Sequence, residues 1–199
     1  MLSRYSLLTT NSLNKMNICV YCSSSDQVRD EFKQQATEFG NWLADKGHTL
    51  VYGGATGGLM SAIAQGASNA GGDIVGIIPD CIIEKGRKSD LPTELFIVGD
   101  MAERKSMMKE YSDVFVVFPG GFGTLDEMFD TISSCMVGEH DKPTILYNPD
   151  NFWMGLLLQL DKILKEGLGY KITRNGNLKV VDTLEELKEV IIKTEKEQS

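Results

Sequence analysis

The sequence predicts an α/β protein with a Rossmann-like three-layer fold, a mainly parallel central sheet and helices on both faces. Short apolar runs alternate with amphipathic segments along the 199-residue chain, a pattern typical of parallel strands joined by crossover helices. Several runs are also too uniformly apolar for a sheet with one wet face, so helices should cover both sides. Both observations favour one sheet between two helical layers.

The strands are predicted from the apolar runs. In chain order these are NICVYC (17–22), TLVY (49–52), IVGIIP (74–79), LFIV (95–98), VFVVF (114–118) and TILY (144–147). Each is short enough for a buried strand and is followed by turn-forming or polar residues.

The helices are predicted between these strands. The first has apolar residues at helical spacing and ends at Gly47; the apolar residues are Phe32, Ala36, Phe39 and Leu43. Further helices are expected over 58–70, 100–111, 124–137 and 151–166. TLEE at 183–186 has the spacing of a capping box and should begin a C-terminal helix.

The domain organisation follows from length and continuity. A chain of 199 residues is most simply one domain, and no linker or repeat interrupts the pattern, so we expect a single Rossmann-like nucleotide-binding domain over 16–199. Residues 1–15 contain no acidic residue and two basic ones. We expect a flexible leader there, and a targeting segment stays an open alternative.

Charge and cysteine content limit the possible partners. A net charge of −8 argues against a nucleic-acid polymer or an anionic membrane, which favour basic surfaces. No run approaches the ~20 apolar residues of a membrane span. Cys19 and Cys22 have CxxC spacing but lie in one strand on opposite faces, and neither His48 nor His140 has neighbours suggesting a metal. We therefore expect no metal, buried thiols and a reducing, cytoplasmic location.

Four unusual loops should meet at the carboxyl edge of the sheet, where ligands bind in such folds. They are CSSSD (22–26), YGGATGGLM (52–60), GDMAERKSM (99–107) and PGGFGTLDE (119–127). The two glycine-rich loops run into predicted helices, whose N-terminal amides bind anions, and together they favour a phosphate site. Neither matches a P-loop or a dinucleotide fingerprint, so no nicotinamide or flavin cofactor is expected.

Two pairs of residues have capping-box spacing at predicted helix starts. For Asp100 and Glu103 we favour the capping role. Glu127, three residues after Thr124, follows the second glycine-rich loop, where a catalytic role competes with capping. Arg104 lies in the first turn of the preceding helix, where the helix dipole disfavours a cation. A residue that breaks a local rule at this edge is a functional candidate.

The motifs resemble one known family. PGGFGTLDE and DMAERKSMM match the PGGxGTxxE and DMxxRKxxM segments of the LOG ("lonely guy") family, and the likeness runs from about 17 to 167. Its members are cytokinin riboside 5′-monophosphate phosphoribohydrolases, formerly described as possible lysine decarboxylases. The resemblance implies hydrolysis of the N-glycosidic bond of AMP or an N6-modified AMP to free base and ribose 5-phosphate. It further implies a homodimer.

The resemblance also implies roles for individual residues. Arg104 and Glu127 fall on the family's catalytic pair. Taken with the loops, it gives as substrate-binding residues Ser24, Gly54, Gly58, Lys105, Gly120, Gly121, Phe122, Gly123, Thr124, Leu125, Asp126 and Ser133. Surrounding positions depart from the family pattern and leave the base preference open; they are Ser23, Ala55, Gly86, Ala102 and Met136.

Other functions were weighed against this one. Lysine decarboxylation is disfavoured because Lys105 lies in a motif better explained by phosphate binding than by a Schiff base. A non-catalytic nucleotide or molybdenum-cofactor carrier of the same fold is the main alternative, and a regulatory subunit is a third. Four methionines of the motif helices should line either a dimer face or the core: Met107, Met108, Met128 and Met136.

Overall fold

The structure, a computed structural model, describes residues 15–169 and 178–197. Strands and helices alternate along the described chain. Its elements are β1 (Asn17–Tyr21), α1 (Asp30–Asp45), β2 (Thr49–Tyr52), α2 (Gly58–Asn69), β3 (Ile74–Pro79), α3 (Asp80–Ile83), β4 (Glu94–Val98), α4 (Met101–Glu110), β5 (Val114–Val117), α5 (Phe122–Met136), β6 (Thr144–Tyr147), a 3₁₀ turn (Pro149–Asn151), α6 (Met154–Lys165), β7 (Leu178–Val181) and α7 (Leu184–Glu197).

The strands form one seven-stranded sheet in the order β4-β3-β2-β1-β5-β6-β7, and every neighbouring pair is parallel. The chain builds outward from β1 in one direction and then returns to its other side with β5. In parallel sheets this reversal opens a crevice at the carboxyl ends of the two central strands. The predicted fold class is confirmed, and the crevice fixes where a ligand site should lie.

Most predicted elements match the structure, and two were missed. The six predicted strands each agree with an observed strand to within one residue at either end. The C-terminal capping box is confirmed, because Glu186 accepts from the amide of Thr183 while the Thr183 hydroxyl accepts from the amide of Glu186. The short helix α3 and the strand β7 were not predicted. The predicted leader lies outside the described residues, apart from Lys15.

Each face of the sheet has its own buried core. Ile18 and Val20 of β1 belong to the core shared with α1, α2 and α7, whereas Cys19 and Tyr21 belong to the one shared with α4 and α5. Cys22 lies on the first side, so the CxxC pair is split between faces as predicted. All four cysteines lie within the described residues, and none of them forms a disulfide there. Within the described residues no helix is long and apolar enough to cross a membrane.

Candidate active site

A cavity of about 380 Å³ opens at the carboxyl edge of the sheet, beside the β1–β5 crevice. Residues from all four predicted loops line it, which confirms that these loops converge. The lining residues are Cys22, Ser23, Ser24, Ser25, Gly53, Ala55, Met60, Ile82, Arg87, Met101, Arg104, Gly121, Gly123, Thr124 and Glu127.

A buried ion pair lies in this cavity. Nη1 of Arg104 is 2.8 Å from Oε1 of Glu127, and the two side chains are only 8% and 4% exposed. Nε of Arg104 also donates to the carbonyl of Ile77 in β3, 3.1 Å away. A carboxylate and a backbone carbonyl therefore compensate the unfavourable position of this cation at the start of α4.

Glu127 does not cap α5. That helix begins at Phe122 with Gly121 as its N-cap residue, which places Glu127 in the second turn with its side chain turned inward to Arg104. The capping role expected for Asp100 and Glu103 is confirmed, because the Asp100 carboxylate accepts a hydrogen bond from the amide of Glu103 at 2.8 Å. The same three-residue spacing therefore produces a helix cap at Asp100 and Glu103 in α4, but a buried acid at Glu127 in α5.

The electrostatic state of Glu127 reflects two opposed effects. Burial raises its pKa, because the ionised carboxylate loses water, and the Arg104 guanidinium opposes the increase. The net direction is upward. Burial also raises the pKa of the nearby Cys19 thiol to about 12, so this cysteine remains protonated at neutral pH and is not a nucleophile. Glu127 is thus an acid that the fold holds in the cavity at an electrostatic cost.

Gly53, directly after β2, allows Arg104 to occupy its position. A Cβ atom on this glycine would lie 1.9 Å from Nη2 of Arg104 and 3.3 Å from the Met60 methyl group. The absence of a side chain therefore makes room for the guanidinium. Sequence reasoning noted the glycine-rich loop but missed this particular residue, because nothing local showed that Arg104 would approach it.

The N-terminus of α5, beside the Arg104–Glu127 pair, has backbone amides that donate no hydrogen bond to the described protein. The amide of Leu125 bonds to the Gly121 carbonyl at 3.0 Å, but within the described residues no protein group accepts from the amides of Phe122, Gly123 or Thr124. Cβ atoms built on Gly121 and Gly123 would meet nothing within 4 Å. Free amides with the helix dipole behind them form an anion site.

The other glycine-rich loop is closed by the protein itself. The amide of Gly58 donates to Asp26 at 3.0 Å, and the amide of Leu59 donates to the Ser23 carbonyl at 2.9 Å. Gly54 lies behind the cavity wall, where its carbonyl accepts from Ser89. Neither Gly54 nor Gly58 lines the cavity. They hold the loops around the site, and only the α5 loop leaves its amides open.

Apart from Ser24, the remaining predicted binding residues lie around the cavity rather than in its wall. Nζ of Lys105 is 3.0 Å from Asp126 and 3.7 Å from Asp130, and the hydrogen bond to Asp126 raises its pKa. Phe122 is 93% exposed, and Ser133 is exposed on α5. The half-buried residues Gly120 and Leu125 flank the loop on either side. Ser24 does line the cavity, as predicted.

The methionines and histidines divide between core and surface. Met108 and Met128 are fully buried, whereas Met136 is 45% exposed. His48 accepts from the amide of Met16, and His140 bonds to a backbone carbonyl in α5, so both histidines have structural partners. Among the described side chains, no group of three or more His, Cys, Asp or Glu is arranged to hold a metal ion.

Two wall residues, Ile82 and Arg87, lie outside all four predicted loops and were also missed from the sequence. Both lie between β3 and β4, in a segment that the sequence pattern presents as an ordinary linker. The local signals were the basic pair of Arg87 and Lys88 and the neighbouring Gly86, one of the positions that depart from the family pattern. A pair of charges in a loop is usually solvated, and only the fold shows that the first of them faces the cavity.

Comparison with known proteins identifies the family of this chain. A profile of the family described as "Possible lysine decarboxylase" matches residues 60–191. The cytokinin riboside 5′-monophosphate phosphoribohydrolase LOG3 of Arabidopsis thaliana is 37% identical over 150 residues, which cover 75% of this chain and 70% of that protein. The chain belongs to the LOG family. LOG5 of the same plant, which is named for the same activity, is 39% identical over 150 residues. These residues cover 75% of this chain and 66% of LOG5.

The fold is also shared with a protein of a different described role. The molybdenum cofactor binding protein of Rippkaea orientalis has a solved structure that is 26% identical to this LOG family member. It superposes with a TM-score of 0.68 and covers 90% of this chain and 97% of its own. The architecture therefore serves more than one function, and residues of the cavity have to decide between them.

Proposed function

We propose that this protein hydrolyses the N-glycosidic bond of a nucleoside 5′-monophosphate, releasing the free base and ribose 5-phosphate. The observation that carries the proposal is the buried Arg104–Glu127 pair, 2.8 Å apart, in a cavity that also contains the open amides of α5. The curated LOG relatives named above carry this activity in their names. The cavity supplies an anion site and an acid, which are the two elements that the reaction needs.

The reaction replaces a carbon–nitrogen bond by a carbon–oxygen bond. Oxygen of a water molecule bonds to the anomeric carbon while the bond to the base nitrogen breaks, and the electron pair leaves with the base. The base gains one proton overall and the water loses one. Positive charge develops on the sugar, as in other glycoside hydrolyses. Glu127 stabilises that charge more strongly in a buried site than it would in water.

Arg104 acts on Glu127. Without its guanidinium, the buried carboxyl would have a still higher pKa and would be protonated over more of the working pH range. The same contact, together with the bond from Arg104 to the Ile77 carbonyl, fixes where the carboxylate lies. Arg104 therefore keeps the acid ionised and in place.

The open end of α5 holds the phosphate. Three unused amides and the positive end of the helix dipole attract a dianion, and the glycines leave room for close approach. This anchor is remote from the bond that breaks, so its binding energy can position the sugar against Glu127. A nucleoside that lacks the phosphate loses this anchor and should be a poor substrate.

The test is a substrate panel. The purified protein is incubated with AMP, its N6-prenyl derivative and other common nucleoside monophosphates, and released base and ribose 5-phosphate are quantified by chromatography. The matching nucleosides without phosphate are the controls. We expect release from at least one monophosphate and little from its nucleoside. No release from any monophosphate would contradict the proposal.

A molybdenum-cofactor carrier is the second candidate, because the Rippkaea orientalis protein of the same fold is named for that ligand. The buried acid favours hydrolysis, since a carrier gains nothing from keeping a carboxylate in its cavity against the cost of burial. Tight nucleotide or cofactor binding without base release across the whole panel would support the carrier instead.

Assembly and location complete the proposal. We propose a homodimer that uses the exposed apolar residues at the two ends of α5, where Phe122, Met136 and Val137 are 93%, 45% and 77% exposed. Light scattering measures the mass directly, and a monomer at micromolar concentration would contradict this part. We also propose a cytoplasmic location, in keeping with four cysteines that form no disulfide among the described residues.

A further inference from the structure

A second group of charged residues connects α4 to α5 outside the cavity wall. Nζ of Lys105 is 3.0 Å from Oδ1 of Asp126 and 3.7 Å from Oδ1 of Asp130. Nζ of Lys109 is 2.8 Å from Oδ2 of Asp130, and it also donates to the Ser134 hydroxyl at 2.7 Å. We call Lys105, Lys109, Asp126 and Asp130 the outer cluster. Its two cations belong to α4 and its two acids to α5, so it joins these helices.

The outer cluster is built on the neighbours of the buried pair. Lys105 follows Arg104 in α4, and Asp126 precedes Glu127 in α5. Arg104 and Glu127 line the cavity, whereas Lys105 and Asp126, the outer pair, do not. A shift of α4 along α5 that separated the buried pair would also separate the outer pair. The outer cluster therefore fixes the helix register on which the contact between Arg104 and Glu127 depends.

Lys105 is already engaged by protein carboxylates. Asp126 and Asp130 both pair with its ammonium group, and its side chain is only 18% exposed. The hydrogen bond to Asp126 raises the pKa of Lys105, so the lysine remains charged at neutral pH. The family resemblance implies a substrate-binding role for Lys105. A cation that two acids hold outside the cavity wall is better placed to act on the protein than on a ligand.

The outer pair acts electrostatically on Glu127. Burial is the largest influence on the pKa of Glu127 and raises it, and the Arg104 guanidinium lowers it. The Asp126 carboxylate raises this pKa as well, and the Lys105 ammonium lowers it. The two members of the outer pair therefore have opposite effects on the same acid. Removing either one leaves the effect of the other unopposed.

The remaining ionisable groups that face Glu127 are neutral. They belong to β1 and the residue after it, Cys19, Tyr21 and Cys22. Burial raises the pKa of Cys19 to about 12, and it also raises the pKa of Tyr21 and of Cys22 above their usual values. In the described part of the chain, the charges that act on Glu127 are therefore those of Arg104 and the outer pair.

We propose that Lys105 and Asp126 are positioning residues, which act on the reaction through Glu127 and do not bind the substrate. The inference rests on the proposed hydrolysis, in which Glu127 is the acid. Lys105 neutralises a carboxylate that lies one helical turn after Phe122, at the open end of α5. Without Lys105, that carboxylate would favour protonation of Glu127 and would repel the substrate phosphate. Asp126 holds Lys105 in place and, with Asp130, ties α4 to α5.

The experiment measures kcat and KM against pH for Lys105→Met, Asp126→Asn and the variant with both changes, beside the wild type. Only ionised Glu127 supports turnover, so its pKa sets the acid limb of kcat. Lys105→Met removes an effect that lowers this pKa, so the limb should move to higher pH. Asp126→Asn removes an effect that raises it, so the limb should move to lower pH.

The expected shifts are modest, because the outer pair is partly solvated. On the acid limb, turnover relative to the wild type should fall about threefold in Lys105→Met and rise about threefold in Asp126→Asn. The double variant should lie close to the wild type. Shifts of opposite sign distinguish this role from a structural one, since damage to the fold would lower turnover in both single variants. Unshifted limbs, or shifts of the same sign, would overturn the proposal.

Lys109→Met is the matched control. It removes the other lysine of the outer cluster, which pairs with Asp130 and is not among the charges that act on Glu127. Its acid limb should coincide with that of the wild type. A shift as large as that of Lys105→Met would overturn the specific role of the outer pair, because any loss from the cluster would then have the same effect.

KM separates positioning from substrate binding. Any increase of KM in Lys105→Met should be reversed when Asp126→Asn is added, because no unpaired carboxylate then repels the phosphate. The loss of a true ligand would persist in the double variant. A KM of the double variant that stays as high as that of Lys105→Met would therefore overturn the proposal and make Lys105 a substrate ligand.

Failure of the proposed function would look different. If the wild type releases no base from any nucleotide, the Glu127 carboxyl can still be titrated by ¹³C NMR, with its signal assigned by its loss in Glu127→Gln. A higher midpoint in Lys105→Met and a lower one in Asp126→Asn would support the action of the outer pair on Glu127. Equal midpoints in the wild type and both variants would overturn it.

Discussion

The two glycine-rich loops look alike in sequence and differ in what they do. The loop after β2 runs into α2, but Ser23 and Asp26 from the loop after β1 already accept from its helix amides. The loop after β5 runs into α5 and keeps its helix amides unoccupied by protein. Glycine content marks a place where the backbone comes close to something. The partner can be a ligand or another part of the chain.

The closed loop still serves the site, by a different route. Gly58 has φ +50, and a Cβ there would lie 2.4 Å from the Ser25 carbonyl, so this glycine allows two loops to dock. Gly53 makes room for Arg104. The closed loop therefore shapes the cavity, whereas the open loop is the one that we propose binds the phosphate. Five variants or conditions test this division.

The largest loss of activity is expected for Glu127→Gln, which removes the negative charge of this side chain and keeps its size and shape. Base release should fall by roughly a hundredfold or more, because stabilisation of the sugar cation is lost. The assay is kcat for the best substrate, with circular dichroism to confirm the fold. Glu139→Gln, an exposed acid just after α5, is the control. Near-normal turnover in Glu127→Gln would remove the acid from the mechanism.

The pH profile should report the same carboxyl. Burial raises the pKa of Glu127, and only the ionised form stabilises positive charge, so activity is present above that pKa and lost below it. kcat/KM should fall by about tenfold per pH unit on the acid side. Since the substrate phosphate also titrates near pH 6, the residual activity of Glu127→Gln serves as the reference. Identical acid limbs in both proteins would contradict the assignment.

Gly53→Ala tests whether the closed loop, which contains Gly53, supports activity by making room for Arg104. Its Cβ would displace the end of the Arg104 side chain, which can move, so the fold should survive. We expect turnover to fall by about tenfold, because the acid loses its fixed partner and small displacements are costly in catalysis. Thermal unfolding is measured beside kcat. Full activity in this variant would show that the position of Arg104 matters little.

Phe122→Pro removes one amide from the open loop. Proline is favoured at the first position of a helix, and the preceding Gly121 has an extended backbone, with φ −105 and ψ −150, rather than the helical conformation that a following proline disfavours. KM should rise by about tenfold, because the phosphate loses a donor and a hydrogen bond to a charged group contributes about 1.5 kcal/mol at the low end. Phe122→Ala, which keeps the amide, is the control. Equal KM values for both variants would count against phosphate binding at α5.

The smallest effect is expected for Asp26→Ala in the closed loop. This carboxylate accepts from the first amide of α2, and losing such a cap costs about 1 kcal/mol of stability. KM should stay within about threefold, since the cap acts on stability rather than on the ligand. Denaturant unfolding and steady-state kinetics measure the two quantities. A large increase in KM at unchanged stability would mean that the closed loop also binds substrate.

Local signals in the sequence were enough for most of the helices and strands and for the two motifs that contain the proposed catalytic pair. Arg104 could be found because a cation at a helix start breaks a local preference, and Glu127 because it follows a glycine-rich turn. Gly53 and Arg87 could not be found in this way. Gly53 makes room for Arg104, about fifty residues later in the chain, and Arg87 binds the carbonyl of Thr56, about thirty residues earlier. No window of sequence contains both partners.

The sequence by itself determined that apolar runs form a parallel sheet, that the candidate site lies at its carboxyl edge, and that an acid and a cation are available there. Periodicity and turn composition are local properties, so they can be seen without the fold. The tertiary structure alone decided which helix end stays open, which acid is buried and which arginine faces the cavity. Those outcomes depend on which distant groups satisfy each amide and each charge, and packing settles that only when the strands have assembled.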